Sequence, residues 1–152
     1  MRVVSVDPAS AKPLGVALAD EYGLISAGLF SYKELYTFLE HMRPDIVVVE
    51  DQYMFRNYNT AKKLSWSTGK VMGICEVLEI PYQEMNVAHW KSVVKTQKGT
   101  HVQRCEEILG IQFQDDVASA ILIGVCYLTE HVSRDIMEVW KRNTAQNRCR
   151  NS

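Results

Sequence analysis

The chain switches between two hydrophobic rhythms, and each switch predicts an element. Residues 2–7, "RVVSVD", have the β-branched density of a strand. "LGVALAD" and "GLISAGLF" follow, separated by the turn residues Glu21 to Gly23, which predicts an antiparallel hairpin. "SYKELYTFLEHM" opens on Ser31 as an N-cap and spaces Leu35, Phe38, Leu39 and Met42 along one helical face. Beyond Pro44, "DIVVVE" is an unbroken β-branched run, as suits a strand covered on both faces. It ends on two adjacent carboxylates, Glu50 and Asp51; alternation along a strand points them to opposite faces.

Residues 60–79 place Ala61, Leu64, Thr68, Val71, Cys75 and Leu78 at alternating intervals of three and four, a helical stripe. Gly69 and Gly73 sit four apart within it, each costing about 1 kcal/mol against alanine. Two glycines on one side suggest the close approach of another helix. "IPYQEM" predicts a fifth strand, "NVAHWKSVVK" a helix capped by Asn86, and "THVQRCEEIL" another after the loop "TQKG". "DDVASAILIGVCYLTEHV" predicts a long, nearly apolar helix with two acids at its start. Three strands, a helix, a strand, a helix, a strand and then helices make an α/β fold with a mixed sheet.

Composition narrows the class. The 152 residues fit one domain over 1–152, and 47% hydrophobic with 23% charged content is ordinary for a globular protein. No apolar run reaches the roughly 18 residues of a membrane helix, and the N-terminal apolar stretch is too short for a signal peptide and broken by Asp7. Cys75, Cys105, Cys126 and Cys149 form no C-x-x-C pair, so reduced thiols in a cytoplasmic protein are expected. The net charge is −1, but its distribution is uneven. Lys62, Lys63, Lys70, Lys91, Lys95, Lys98 and Arg104 face only Glu76, Glu79 and Glu84 between residues 60 and 104. The tail from about residue 134 is also basic. A charge run is usually a solvated face, but a basic middle set against isolated acids at strand ends is less bland than that.

Those acids carry the candidate chemistry. Asp7 ends the first strand, Glu50 ends the fourth, and Asp115 and Asp116 open the long helix. Each has a structural role open to it: Asp7 before Pro8 can start a turn, and Asp115 or Asp116 can cap a helix. A crossover that sets strands one and four side by side would instead bring Asp7 and Glu50 together at their C-terminal ends, where α/β folds place sites. Asp116 can join them from a helix packed on the sheet. Converging carboxylates repel unless protonated or bridged by a cation, and oxygen-only ligands suit Mg²⁺ or Mn²⁺.

The ordered set "VVSVDPAS…GVAL", "IVVVEDQYM", "NTAKKLSWSTGKVMGICEVLEIPYQEMN", "HWKSVVK" and "DDVASAIL" resembles RuvC-like Holliday junction resolvases of the RNase H-like superfamily, and is similar to their compact phage-type members. The resemblance covers about residues 2–130. It implies an RNase H-like mixed five-stranded sheet flanked by helices. It also implies a homodimer that cuts branched DNA, using two Mg²⁺ ions per site with Mn²⁺ as a substitute. Asp7, Glu50 and Asp116 match the family's acids and would be catalytic metal ligands. The family's D-x-x-D-A pattern reads "DVASA" here, with Ser119 at the second acid's place. Asp115 then completes the site, or Ser119 works through water, or activity is weakened.

The same resemblance assigns Tyr53, and after it Phe55, to stacking on unpaired bases. It assigns Lys91, Lys95 and Lys98 to backbone phosphate, with Lys98 also near the reaction. Residues 60–79 match its dimer helix, and a two-fold dimer suits a four-way junction. Forks and flaps are further substrates the family allows, and a phage-encoded member would act in the host cytoplasm. His41, His89, His101 and His131 are scattered and receive no role. Two other readings compete. "VDPASAKPLGVAL" resembles the first phosphate loop of actin-like ATPases, which need a second domain and a further Gly-rich loop. Ser119 fits a branched-DNA-binding module without catalysis.

Overall fold

The computed structural model of the protein describes residues 1–8, 13–51, 58–95 and 100–151. Strands β1 (Val3–Asp7), β2 (Leu14–Asp20) and β3 (Gly23–Phe30) are followed by helix α1 (Tyr32–Met42) and strand β4 (Ile46–Asp51). Helix α2 (Tyr58–Leu78), strand β5 (Tyr82–Asn86) and helices α3 (Val87–Val93), α4 (His101–Leu109), α5 (Asp115–His131) and α6 (Ile136–Asn151) complete the order. The five strands form one sheet in the order β3-β2-β1-β4-β5. β1 runs antiparallel to β2 and parallel to β4, and β4 is parallel to β5, so the sheet is mixed as the pattern predicts.

Local chemistry fixes the connections. Asp20 accepts from the backbone N–H of Tyr22 and Gly23 and so closes the β2–β3 turn. Ser31 and Glu34 form a complete capping box at the start of α1. Arg43 ends that helix in the left-handed region and reaches the Leu78 carbonyl, pinning the end of α1 to the end of α2.

Alternation along the strands divides the core between two layers. Val4, Val6, Val47 and Val49 pack with Leu35, Leu39, Val71, Cys75 and Leu78, under α1 and α2. Val3 and Val48 face the other way, into a larger core built around α5. Every residue of α5 from Val117 to Leu128 is buried, which explains its lack of a polar face. Ser5 is the polar residue β1 buries against α5; its hydroxyl donates to the Ala120 carbonyl at 2.5 Å. Gly124 lies opposite, where a Cβ would come within 2.9 Å of the Ser5 hydroxyl. The helix thus runs close over β1, and its first turn reaches the C-terminal end of the sheet.

One expectation changes. The basic tail contains α6, whose Ile136 and Trp140 are fully buried, and Trp140 Nε1 donates to the Asp20 carbonyl. Two apolar anchors four residues apart dock an otherwise polar helix, a signal too sparse to read beside so many charges. Among the described residues, a Cβ at Gly69 or Gly73 would meet nothing within 4 Å. Cys75, Cys105 and Cys126 are buried free thiols, and Cys149 is exposed.

Candidate active site

The parallel register pairs Val6 with Val49, so Asp7 and Glu50 are next along neighbouring strands. Both follow the alternation onto the α5 face, and both are buried, at 8% and 3% exposure. Their carboxyls share a hydrogen bond. Burial first, then the charges of Glu50, Asp116 and Asp115, push the Asp7 carboxyl up to about 9. Asp7 therefore holds a proton at neutral pH and donates it to Glu50.

Glu50 is fixed from a second side. Asn86 ends β5 and, with its side chain accepting from Ala88 N–H at 2.8 Å, starts α3 without an intervening loop. One turn on, Trp90 is buried and its Nε1 donates to Glu50 Oε2 at 2.8 Å. The indole N–H is satisfied, and one Glu50 oxygen is held while the carboxyl stays against Asp7. Thr68 of α2 donates to the Glu50 carbonyl. Asp51 points to the opposite face, where it hydrogen-bonds Glu84; burial and this contact raise the Glu84 carboxyl. The adjacent acids are thereby split, as alternation requires.

Asp115 and Asp116 occupy the first turn of α5, where the helix dipole favours negative charge. They are not the cap: Gln114 holds that position, without a side-chain cap hydrogen bond. Gly15, the antiparallel partner of Asp7, seats them. A Cβ there would overlap the Asp116 carbonyl and come within 3.1 Å of Val117 N. Only glycine lets the first turn of α5 descend onto β2 beside Asp7. Asp116 is half-buried, and Ser119 is buried one turn further on the same face. Asp115 is exposed and ion-paired with His101 of α4, whose Nδ1 is buried with no hydrogen-bond partner among the described residues. Among the described residues, Asp7, Glu50 and Asp116 do not all bring ligand atoms within 4.8 Å of one another. The first two touch.

This placement of acids on a mixed five-stranded sheet invites comparison with known proteins. No family model matches the chain. The crossover junction endodeoxyribonuclease RuvC of Thermomicrobium roseum is 27% identical, covering 84% of this chain and 92% of the relative. RuvC of Syntrophomonas wolfei is 24% identical, covering 91% and 94%. Among solved structures, T. thermophilus RuvC in complex with Holliday junction substrate superposes with a TM-score of 0.71 at 19% identity, covering 91% of this chain and 97% of the other. The yeast mitochondrial Holliday junction resolvase Ydc2 superposes with a TM-score of 0.60 at 14% identity, over 99% and 83%. The chain is similar to RuvC in sequence and in fold.

The remaining residues expected of a RuvC-like chain fall unevenly. Tyr53 and Phe55, in 52–57, and Lys98, in 96–99, lie outside the described residues. Lys91 is half-buried, with its ammonium 5.6 Å from the centre of the Trp90 ring, on the helix that secures Glu50. Lys95 is exposed in the left-handed region and lines a cleft with Thr100, Gln103, Arg104 and Glu107. Three residues carry more than the sequence reading gave them. Trp90 lies in the helix "NVAHWKSVVK", where nothing local signals a hydrogen bond to Glu50. Gly15 reads as a weak strand residue until α5 is placed on it. His101 meets Asp115 across the connection between α4 and α5, which no local spacing encodes.

Two outcomes follow from this geometry. Between the ordinary carboxyl range and about pH 9, the folded chain holds a proton on Asp7 that the unfolded chain releases. In EDTA, stability therefore falls as pH rises through that window. Asp7→Asn is expected to melt above wild type at about pH 8, with a flatter pH dependence, and Mg²⁺ is expected to raise wild type alone. Parallel melting curves for the two proteins would contradict the raised carboxyl. Gly15→Ala is expected to destabilise by about 1–3 kcal/mol in urea unfolding, through overpacking against α5. An unchanged midpoint would show that α5 does not depend on that contact.

Proposed function

We propose that this chain is a metal-dependent endodeoxyribonuclease that resolves Holliday junctions by phosphodiester hydrolysis. The observation that carries the reading is the buried contact between Asp7 and Glu50 at the C-terminal ends of adjacent parallel strands, with Asp116 directed there by α5. Two like-charged groups forced together out of water need a proton or a cation, and the proton on Asp7 marks the charge a cation would supply. The donors are all oxygens, which fits Mg²⁺ with Mn²⁺ as substitute. Asp7, Glu50 and Asp116 would hold the metal, with two ions per site as in other carboxylate nucleases. Asp115, or Ser119 through water, would complete the set. When bound, such ions lower the pKa of water and offset charge on the transferring phosphate.

The chain's own residues do the rest. Trp90 holds one oxygen of Glu50, so the carboxylate presents itself in a fixed orientation rather than searching rotamers. Gly15 sets how far Asp116 reaches toward the sheet. His101 holds the exposed Asp115 at the mouth of the site, which limits its excursion into solvent. Lys91, Lys95 and Lys98 would bind DNA backbone phosphate, and Lys98 would also work near the reacting phosphate. Tyr53 and Phe55 stack on unpaired bases at the branch, a contact worth about 1–3 kcal/mol per base.

The working form is a homodimer through residues 60–79, whose Gly69 and Gly73 leave room for a second helix. Its two-fold axis would match that of the junction, and forks and flaps are further substrates. Among the described residues no helix is long and apolar enough to cross a membrane. A cytoplasmic site of action fits this, within the host if the chain is phage-encoded.

The alternative favoured by Ser119 is a branched-DNA-binding module without cleavage. Both readings are tested by one panel of labelled four-way junctions, forks and linear duplexes, with Mg²⁺ and with Mn²⁺. Wild type is expected to nick the four-way junction. Glu50→Gln is expected to lose at least about 10²-fold in rate while binding the junction as tightly as wild type, on the scale of losing a catalytic electrostatic group. Binding without cutting by wild type in both metals would favour the module. Normal cutting by Glu50→Gln would remove Glu50 from the site.

A further inference from the structure

A second cluster of ligating side chains lies at the other end of α5. His89 of α3 and Cys126 and Glu130 of α5 direct Nε2, Sγ and a carboxylate oxygen to one point. All three atoms lie within 4.8 Å of one another, and among the described residues this is the group of histidine, cysteine and acid side chains that converges so closely. His89 Nε2 is 2.7 Å from Glu130 Oε1, and Cys126 Sγ donates to the same oxygen at 3.3 Å. Cys126 and Glu130 are one turn apart on a helix, which sets them on one face. His89 comes from a separate element, so the group bridges two helices.

We propose that His89, Cys126 and Glu130 form a Zn²⁺ site that pins α3 to α5. The donor set, one imidazole, one thiolate and one carboxylate, is borderline-soft and suits Zn²⁺ rather than Mg²⁺. Zinc bonds of about 2.0–2.3 Å in tetrahedral geometry separate neighbouring ligand atoms by roughly 3.3–3.7 Å. The His89–Glu130 contact need open by only about half an ångström, and the Cys126–Glu130 contact already has that span. His89 and Glu130 are 48% and 36% exposed while Cys126 is buried, so three protein ligands close one side and water can take the fourth position. On binding, the Cys126 thiol proton passes to solvent and the His89 ring proton sits on Nδ1, leaving Nε2 as the ligand.

The site is distinct from the carboxylates. Asp116 and Cys126 are ten residues apart on one helix, about 15 Å along its axis. Its consequence still reaches them, because His89 precedes Trp90, the residue that donates to Glu50. The proposal does not rest on the nuclease reading, since a thiolate ligand gives a signal that the acid cluster lacks.

The test uses full-length protein carrying Cys149→Ser, so that the exposed thiol is silent. Titration with Co²⁺ is expected to give a thiolate-to-cobalt charge-transfer band in the near ultraviolet and tetrahedral visible bands, both abolished by one equivalent of Zn²⁺. Cys126→Ala removes the charge-transfer band, and His89→Ala weakens Zn²⁺ by at least about tenfold, since losing a ligand costs no less than losing a group that supports one. Asp7→Asn leaves the band intact. Zn²⁺ also raises the melting temperature of the parent but not of His89→Ala, an exposed position where folding is not at risk. No charge-transfer band in the parent, or a band that survives Cys126→Ala, overturns the site.

Discussion

The contact between the Asp7 and Glu50 carboxyls organises much of what surrounds it. Two acids buried side by side cost free energy on burial and again on ionisation, so the fold must hold them there by force. The parallel register of β1 with β4 supplies that force, since slipping it by one residue would turn every side chain of β4 to the wrong layer. The valines that fill both cores lock the register, and the acids ride on its end. Trp90, Gly15 and the first turn of α5 then fit around a pair whose position is already set.

This arrangement explains why α5 is built as it is. A helix buried on nearly every side has no freedom to place its polar ends, so the sheet places them. Ser5 and Gly124 bring its middle close to β1, and Gly15 lets its first turn settle beside Asp7. The same rigid helix carries Cys126 and Glu130, which His89 meets, at its far end. One element thus links an oxygen-rich site to a nitrogen and sulfur site through a packed core, with α3 touching both.

Most of the fold was legible because its strands are dense in β-branched residues and its helices keep clear stripes. Ser31, Asn86 and the turn after Asp20 declared their roles locally, and the structure agrees with each. Asp7 and Glu50 were legible as acids closing apolar runs, since a buried strand rarely ends on a carboxylate without cause. What stayed hidden depends on approach between distant segments. Gly15 is explained by a helix a hundred residues away, Trp90 by the absence of a loop after β5, and His101 by the angle between α4 and α5. The α6 anchors Ile136 and Trp140 were masked by the basic residues around them. Gly69 and Gly73 pointed to a neighbouring helix, and none lies against them among the described residues.

The central claim is that Asp7 and Glu50 are kept together to hold a divalent cation. Anomalous diffraction from crystals soaked in Mn²⁺ tests it most directly. The expected result is manganese in contact with the Asp7 and Glu50 carboxylates, with Asp116 drawn in toward it. Saturating Mn²⁺ that leaves those carboxylates bare, in crystals of protein that still cuts junctions, would contradict the account.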